Sequence, residues 1–193
     1  TPAMTTVAMP PRVRRLLEQL QSLIGTELGM ELERLLDTLE QDLFRQADLA
    51  RNSGSQSVYL FALQTLRSQR DTVVPRFLSE LSTALANLHG QQADDSQAPS
   101  SDIDSLRLLD HNEIAEDNVL TEIARRHESR AGLPLLLLGQ RFGVLAGRPA
   151  FDAAYLPVGP RALGRMLALA SEGVVADVDT RLHLFRLFDR QLM

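Results

Sequence analysis

The sequence predicts an all-α protein, and three features of the chain lead to that fold class. Leucine dominates the apolar residues, aromatic residues make up only 5% of the chain, and cysteine and tryptophan are absent. This composition is typical of helical proteins. Apolar residues recur at intervals of three and four over long stretches, and no alternating strand pattern of useful length occurs. We therefore expect roughly six to eight long, amphipathic helices that pack antiparallel in a helical bundle.

The first helical pattern extends from Pro10 to about Arg51. Its apolar residues form one stripe that weakens at Gly25 and Gly29, because glycine has a low helix propensity. The pattern therefore predicts either one long kinked helix or two helices that meet at these glycines. Pro10 suits the first turn, where a missing N–H removes no helical hydrogen bond.

A second helical pattern follows the polar run RNSGSQS. This run predicts a turn, with Ser55 or Ser57 as the N-cap of the helix that follows. Apolar residues then recur at helical spacing over residues 58–88, and Pro75 interrupts them. Because proline breaks the helical hydrogen-bond ladder, either the helix kinks there or a new helix begins with Thr72 near its cap.

The polar segment GQQADDSQAPSSD has no periodicity and predicts a linker or an exposed loop. We therefore divide the chain into an N-terminal helical hairpin or bundle at 1–89, a polar linker or loop at 90–104 and a C-terminal helical unit at 105–193. The two helical parts form either one domain or two. Within the C-terminal unit the helical pattern predicts four helices, at about 110–130, 133–147, 160–172 and 177–192.

The segment DHNEIAEDNVLTEIARRHESR, at 110–130, concentrates six acids, two histidines and three arginines. Its acids come first and its arginines last, which is the charge order that the helix dipole favours. Asp110 and Glu113 have the spacing of a capping-box variant. Glu122 and Arg126 have the spacing of an i,i+4 ion pair. These charges therefore predict a well-formed helix.

The same segment lacks the spacing of a metal site. His111 and His127 are too far apart to bind one ion from a single helix face. Glu122 and His127 are separated by five positions, whereas a di-iron carboxylate motif requires three. The lack of cysteine excludes thiolate zinc sites, disulfides and cysteine nucleophiles. We expect neither a metal nor another cofactor.

The sequence contains no G-x-S-x-G, P-loop or GxGxxG motif. His89 and His183 are isolated, and neither lies in the serine–acid setting of a catalytic triad, so no catalytic residue is predicted. The net charge of −5 argues against a general nucleic-acid binder. No apolar run reaches the roughly 18 residues that a membrane-spanning helix needs.

Arginines accumulate between residues 125 and 165, although the chain as a whole is acidic. Arginine favours planar carboxylate or phosphate partners. Arg126 and Arg130 also have the RxxxR spacing of half a cyclic-di-GMP motif, but the usual DxSxxG partner on a β-barrel is missing. The candidate anion ligands are therefore Arg126, Arg130, Arg141 and Arg161, with solvated helix faces as the alternative.

Two segments give the chain a resemblance to a known family. The first is LFRQADLARNSGSQSVYLFALQTLRSQRDTVVPRF at 43–77, and the second is LRLLDHNEIAEDNVL at 106–120. Together with LGQRFGVLAGRP and LPVGPRAL in the expected order, they resemble an uncharacterised bacterial family, domain of unknown function 1631, over most of residues 35–170. Members of that family are sometimes labelled thymidine phosphorylase, an activity that needs an α/β domain and a glycine-rich phosphate loop. This sequence predicts neither.

The resemblance implies the N-terminal part of a larger cytoplasmic protein of proteobacteria, and it brings no catalytic residues. Long amphipathic helices without an assembled polar site favour a non-enzymatic regulatory module that binds a protein partner or itself. The alternatives are a sensor of a small anion or nucleotide that uses the arginine-rich segment 125–165, and a hydrolase or transferase whose residues converge only in the fold. We expect no membrane span and no nucleic-acid partner.

Overall fold

The all-α prediction is confirmed by the computed structural model, which describes residues 9–88, 111–175 and 177–193. These residues form seven α-helices and contain no strand. The helices are α1 (Pro11–Leu49), α2 (Ser53–Gln69), α3 (Val73–Ala86), α4 (His111–Arg130), α5 (Gly132–Ala146), α6 (Pro160–Ala170) and α7 (Val178–Gln191).

Helix α1 is one continuous helix of 39 residues, which decides between the two predicted alternatives. Both glycines of its weak point face α3. A Cβ atom at Gly25 would lie 3.5 Å from Leu78, and one at Gly29 would lie 3.7 Å from Val74. The helix therefore continues through its glycines because they lie at a contact with another helix, where packing outweighs low helix propensity.

Helix α2 begins earlier than the sequence indicated. Asn52 is its N-cap, and the side-chain oxygen of Asn52 accepts a hydrogen bond of 2.8 Å from the backbone N–H of Ser55. The prediction that Ser55 or Ser57 caps this helix is therefore wrong. Asparagine is at least as good an N-cap as serine, and Asn52 precedes both serines in the polar run.

The pattern interrupted at Pro75 consists of two helices, and the second begins just before this proline. A 3₁₀ turn at Arg70–Thr72 joins α2 to α3, and Pro75 lies in the first turn of α3, where it removes no helical hydrogen bond. Thr72 occupies the N-cap position of α3, as one predicted alternative had it. Its hydroxyl nevertheless donates to the carbonyl of Gln69 and does not cap the helix.

The helices from both parts of the chain pack against one another. Helix α1 lies antiparallel to α2 and α3, and α7 lies antiparallel to α1, with His183 bonded to Asp42 and Gln191 to Thr38. Helix α6 packs against both α3 and α4. One apolar core cluster includes buried side chains from α1 through α7. The division at 90–104 lies outside the described residues, so independent folding of the two parts stays a prediction.

The C-terminal helices agree with the predicted positions within two residues at each end. Their connections are a left-handed glycine at Gly147, a short 3₁₀ turn at Ala153–Tyr155 and a second left-handed glycine at Gly173. The predicted capping partner Asp110 and the isolated His89 lie outside the described residues.

Candidate functional site

Helix α4 contains the dense charge cluster, and ion pairs to α6 and α7 account for much of it. Arg181 of α7 is buried and donates to Glu116 at 2.8 Å and to the carbonyl of Ala168 at 3.2 Å. The same guanidinium lies 3.3 Å from the hydroxyl of Ser171 and over the ring of Phe185. It thereby joins the first turns of α4 to the end of α6.

A second ion-pair group lies near the end of α4. The carboxylate of Asp189 in α7 accepts from Arg126 at 2.8 Å, and its other oxygen lies 2.6 Å from Nε2 of His127. Because an ionised carboxylate only accepts, His127 donates through Nε2. The sequence predicted that Arg126 would pair with Glu122, but Glu122 pairs with Arg125 instead. That part of the prediction is wrong.

The third pair joins α4 to α6. Glu128 accepts two hydrogen bonds from Arg161, at 2.7 and 3.1 Å, in the bidentate geometry that suits guanidinium and carboxylate. These hydrogen bonds raise the pKa of Arg161 against the opposing effect of burial. Arg161 therefore stays charged and acts as a helix-to-helix contact.

The four predicted anion ligands are not brought together by this arrangement. Arg126 and Arg161 are occupied by carboxylates of the chain itself. Arg130 and Arg141 are exposed, and neither makes a hydrogen bond or an ion pair within the described part of the chain. Arg161 lines a groove of about 340 Å³ between α4 and α6, and the other three do not line it. That groove also contains acidic side chains, so its charge is mixed.

The two described histidines outside the first turn of α4 both contact aspartates. His183 lies 2.8 Å from Asp42 of α1, in addition to the His127 pair with Asp189. Within 9–88, 111–175 and 177–193, no three histidine or acidic side chains are placed to hold a metal ion. The geometry of these pairs is that of contacts between helices.

Helix α5 has apolar residues on both its buried and its exposed side. One side is buried and includes Leu135, Phe142 and Ala146. The opposite side is exposed to solvent. We call it the α5 leucine face, and it consists of Leu133 at 66% exposure, Leu136 at 54%, Leu137 at 45% and Val144 at 81%.

The buried side of α5 is held by an unusually close backbone contact. The chain turns back after Gly147, whose φ of +65° lies in the left-handed region, and two hydrogen bonds to Val144 and Gly143 close a Schellman motif. The N–H of Phe151 then donates to the carbonyl of Gly139. A Cβ atom at Gly139 would lie 2.1 Å from the carbonyl oxygen of Phe151. This contact fixes which side of α5 faces outward.

Sequence reasoning did not identify the α5 leucine face. The run LPLLLL is short and apolar, which is typical of a buried helix, and periodicity cannot show which side of such a helix is covered. A usable signal was present in Gly139 and Gly143, since two glycines four positions apart on one helix face indicate a close backbone contact on that face.

A second apolar surface lies between α2 and the start of α7. Val58 and Phe61 of α2 are largely exposed, and they line a groove of about 310 Å³ together with Val174 and Val175. The groove also has Asp177 at its edge, where this aspartate is the N-cap of α7. Its lining is otherwise apolar or hydroxyl-bearing, and the carboxylate of Asp177 accepts hydrogen bonds from Thr180.

The comparisons with known proteins place the chain in a family. A family model described as "Protein of unknown function (DUF1631) N-terminal domain" matches residues 12–193, which confirms the resemblance seen in the sequence. Neither the curated proteins nor the solved structures contain a significant match. Among the described residues, no helix is long and apolar enough to cross a membrane.

Proposed function

The chain belongs to the family of the DUF1631 N-terminal domain, and we propose that it is a non-catalytic helical interaction module that binds a protein partner through the α5 leucine face. We further propose that it works inside a larger regulatory protein in the bacterial cytoplasm. The lack of cysteine fits that reducing compartment.

The exposed state of the α5 leucine face is the observation that carries this proposal. Its four side chains lie on one side of one helix, and Val144 is 81% exposed. Burial of apolar surface is worth about 25 cal/mol per Å², so leaving this surface in water forgoes stabilisation that a partner could supply. Contiguous apolar surface on a protein is a common mark of a protein–protein contact.

The polar contacts support a binding module over an enzyme. Arg181, Asp189 and Glu128 each connect two helices. Each forms a short hydrogen bond with an oppositely charged side chain of the other helix. The anion-sensor alternative has less support, because Arg126 and Arg161 are already neutralised by carboxylates of the chain.

The proposal is tested by site-specific photo-crosslinking in native cells. A photoreactive amino acid replaces Val144 in one strain and Leu23 in the other, since Leu23 is a matched exposed apolar residue on α1. We expect a discrete cross-linked protein from position 144 and not from position 23. Equal or absent cross-linking at the two positions would contradict the assignment of this face.

A second experiment on the purified protein distinguishes self-association from binding of a different protein. Sedimentation equilibrium measures whether the chain forms a dimer, and Val144→Asp shows whether the α5 leucine face makes that contact. A dimer that Val144→Asp dissociates would identify the partner as a second copy.

A further inference from the structure

We infer that the partner segment bound by the α5 leucine face is an amphipathic α-helix whose apolar stripe is flanked by acidic residues. This inference rests on the proposed function and adds the chemistry of the partner. It follows from the shape of the face, from the charges at its edge and from the occupants that those charges disfavour.

The face has the shape of a helix-binding strip. At 3.6 residues per turn, Leu133, Leu137 and Val144 lie along one line of α5, and Leu136 lies beside it. The strip extends over about three turns, or roughly 16 Å, which matches the apolar stripe of one amphipathic helix. Gln140 is the one polar side chain within the strip, and it is exposed.

The charged residues closest to the strip along the chain are arginines. Residues 129–151 contain three arginines and no acid. Arg141 follows Leu137 by four positions and precedes Val144 by three, so it borders the strip. Arg141 and Arg130 are exposed and make no hydrogen bond or ion pair within the described residues. A guanidinium at the edge of an apolar surface pairs well with a carboxylate, because both partners are planar and the pair can be bidentate.

These charges disfavour a second copy of the chain. In a symmetric dimer the same surface meets itself, so two α5 leucine faces would bring positively charged edges together. Like charges placed opposite each other at an interface are costly. An acidic partner removes that cost and neutralises Arg141.

The same charges favour a protein over a lipid surface. Electrostatic attachment to anionic lipid commonly uses four to eight basic residues. The α5 leucine face has Arg141 at its edge and Arg130 near its start, and the chain as a whole has a net charge of −5. An acidic helix needs only one or two carboxylates beside its stripe, which this face can pair.

The test uses two synthetic helical peptides of roughly 18 residues, long enough to cover the strip. Both have leucines at helical spacing, and their flanking positions are glutamate in one and lysine in the other. Fluorescence anisotropy measures the Kd of each peptide for the 193-residue chain. We expect the glutamate peptide to bind about threefold to tenfold more tightly than the lysine peptide, since one or two partly exposed ion pairs separate them.

Two variants connect that preference to the face. Val144→Asp should abolish binding of the glutamate peptide, and Arg141→Glu should reverse the preference so that the lysine peptide binds more tightly. Both side chains are exposed, so circular dichroism should show unchanged helicity and melting temperature. Arg45→Glu, an exposed arginine on α1, serves as the charge-matched control and should leave the preference unchanged.

Other outcomes overturn the inference in distinguishable ways. Equal Kd values for the two peptides, or a preference that Arg141→Glu does not move, would exclude an acidic partner while a cross-link at position 144 left the proposed function standing. Co-sedimentation with phosphatidylglycerol vesicles that Val144→Asp abolishes, without peptide binding, would assign the face to lipid. If neither peptide binds and position 144 gives no cross-link, the inference and the proposed function fail together.

Discussion

Helices α1 and α4 are held in the structure by different kinds of contact. Helix α1 buries seven apolar side chains in one seam, namely Leu17, Leu32, Leu35, Leu36, Leu39, Leu43 and Ala47. Helix α4 buries only Ile123 and Ala124, and its charged side chains Glu116, Arg126, His127 and Glu128 bond to α6 and α7.

The comparison shows how these two helices differ in what stabilises and positions them. Apolar burial supplies most of the free energy of folding but has little directionality. Ion pairs between helices contribute less, because desolvation of the charges offsets much of their attraction. They do fix the register of one helix against another. Helix α1 therefore depends mainly on apolar burial, and helix α4 depends more on matched charges between helices.

The largest effect is expected from a cavity in the α1 seam. Leu39 is fully buried, and Leu39→Ala should lower the free energy of unfolding by about 3 to 4 kcal/mol through lost transfer energy and the cavity that remains. Urea denaturation followed by circular dichroism measures this loss. The exposed Leu23→Ala on the same helix is the control and should change stability little. A small loss of stability for Leu39→Ala would contradict the conclusion that apolar burial is what stabilises α1.

The close backbone contact of α5 should be nearly as sensitive. Gly139→Ala would place a Cβ atom against the carbonyl of Phe151, and overpacking of this kind costs about 3 kcal/mol. The sign of the stability change is informative, because alanine normally stabilises a helix relative to glycine. A loss of stability would therefore come from the close contact. Gly132→Ala is the matched control, since no atom lies within 4 Å of its added Cβ. Equal melting temperatures for the two variants would show that α5 can shift away from the backbone of Phe151 without loss of stability.

A smaller loss is expected when the buried arginine of α7 is removed. Arg181→Met leaves Glu116 without its partner and should cost about 2 to 3 kcal/mol, because an unpaired charge remains partly buried. The double variant Arg181→Met with Glu116→Leu should recover most of that stability, since the unpaired charge is gone. Thermal denaturation of the wild-type protein, the two single variants and the double variant gives the coupling energy. Additive losses would contradict a direct coupling between Arg181 and Glu116.

The smallest effect is expected from the exposed pair of α4. Arg125→Ala breaks a contact with Glu122 in which both side chains are largely in solvent, and the loss should be less than about 0.5 kcal/mol. Differential scanning calorimetry at low and high salt measures this loss. Arg161→Ala, which removes the partly buried pair between α6 and α4, is the comparison. A loss for Arg125→Ala that equals the loss for Arg161→Ala would mean that burial does not set the strength of these pairs.

The three-carboxylate contact of Arg70 shows what sequence reasoning could not find in the N-terminal part. Arg70 lies in the 3₁₀ turn and donates to Glu33, Asp37 and Glu40 of α1. Burial lowers the pKa of Arg70, but the hydrogen bonds to Glu33 and Asp37 and the charge of Glu40 raise it overall. These partners are about thirty or more positions away in sequence, so only the antiparallel pairing of the helices brings them together.

Local signals in the sequence determined where the helices lie, because helix periodicity depends on neighbours three and four positions apart. The same locality explains the errors. Ser55 and Ser57 were the predicted caps, whereas Asn52 caps α2. Arg126 had a local candidate partner in Glu122, but it pairs with Asp189 of α7.

The sequence by itself therefore determined the all-α class, the helix positions and the family resemblance. Tertiary structure alone decided that Arg126 and Arg161 are neutralised within the chain and that Arg130 and Arg141 are exposed. It also decided that one side of α5 is left in solvent. The physical reason is that periodicity is a property of neighbouring residues, whereas ion pairing and burial depend on distant segments that only folding brings into contact.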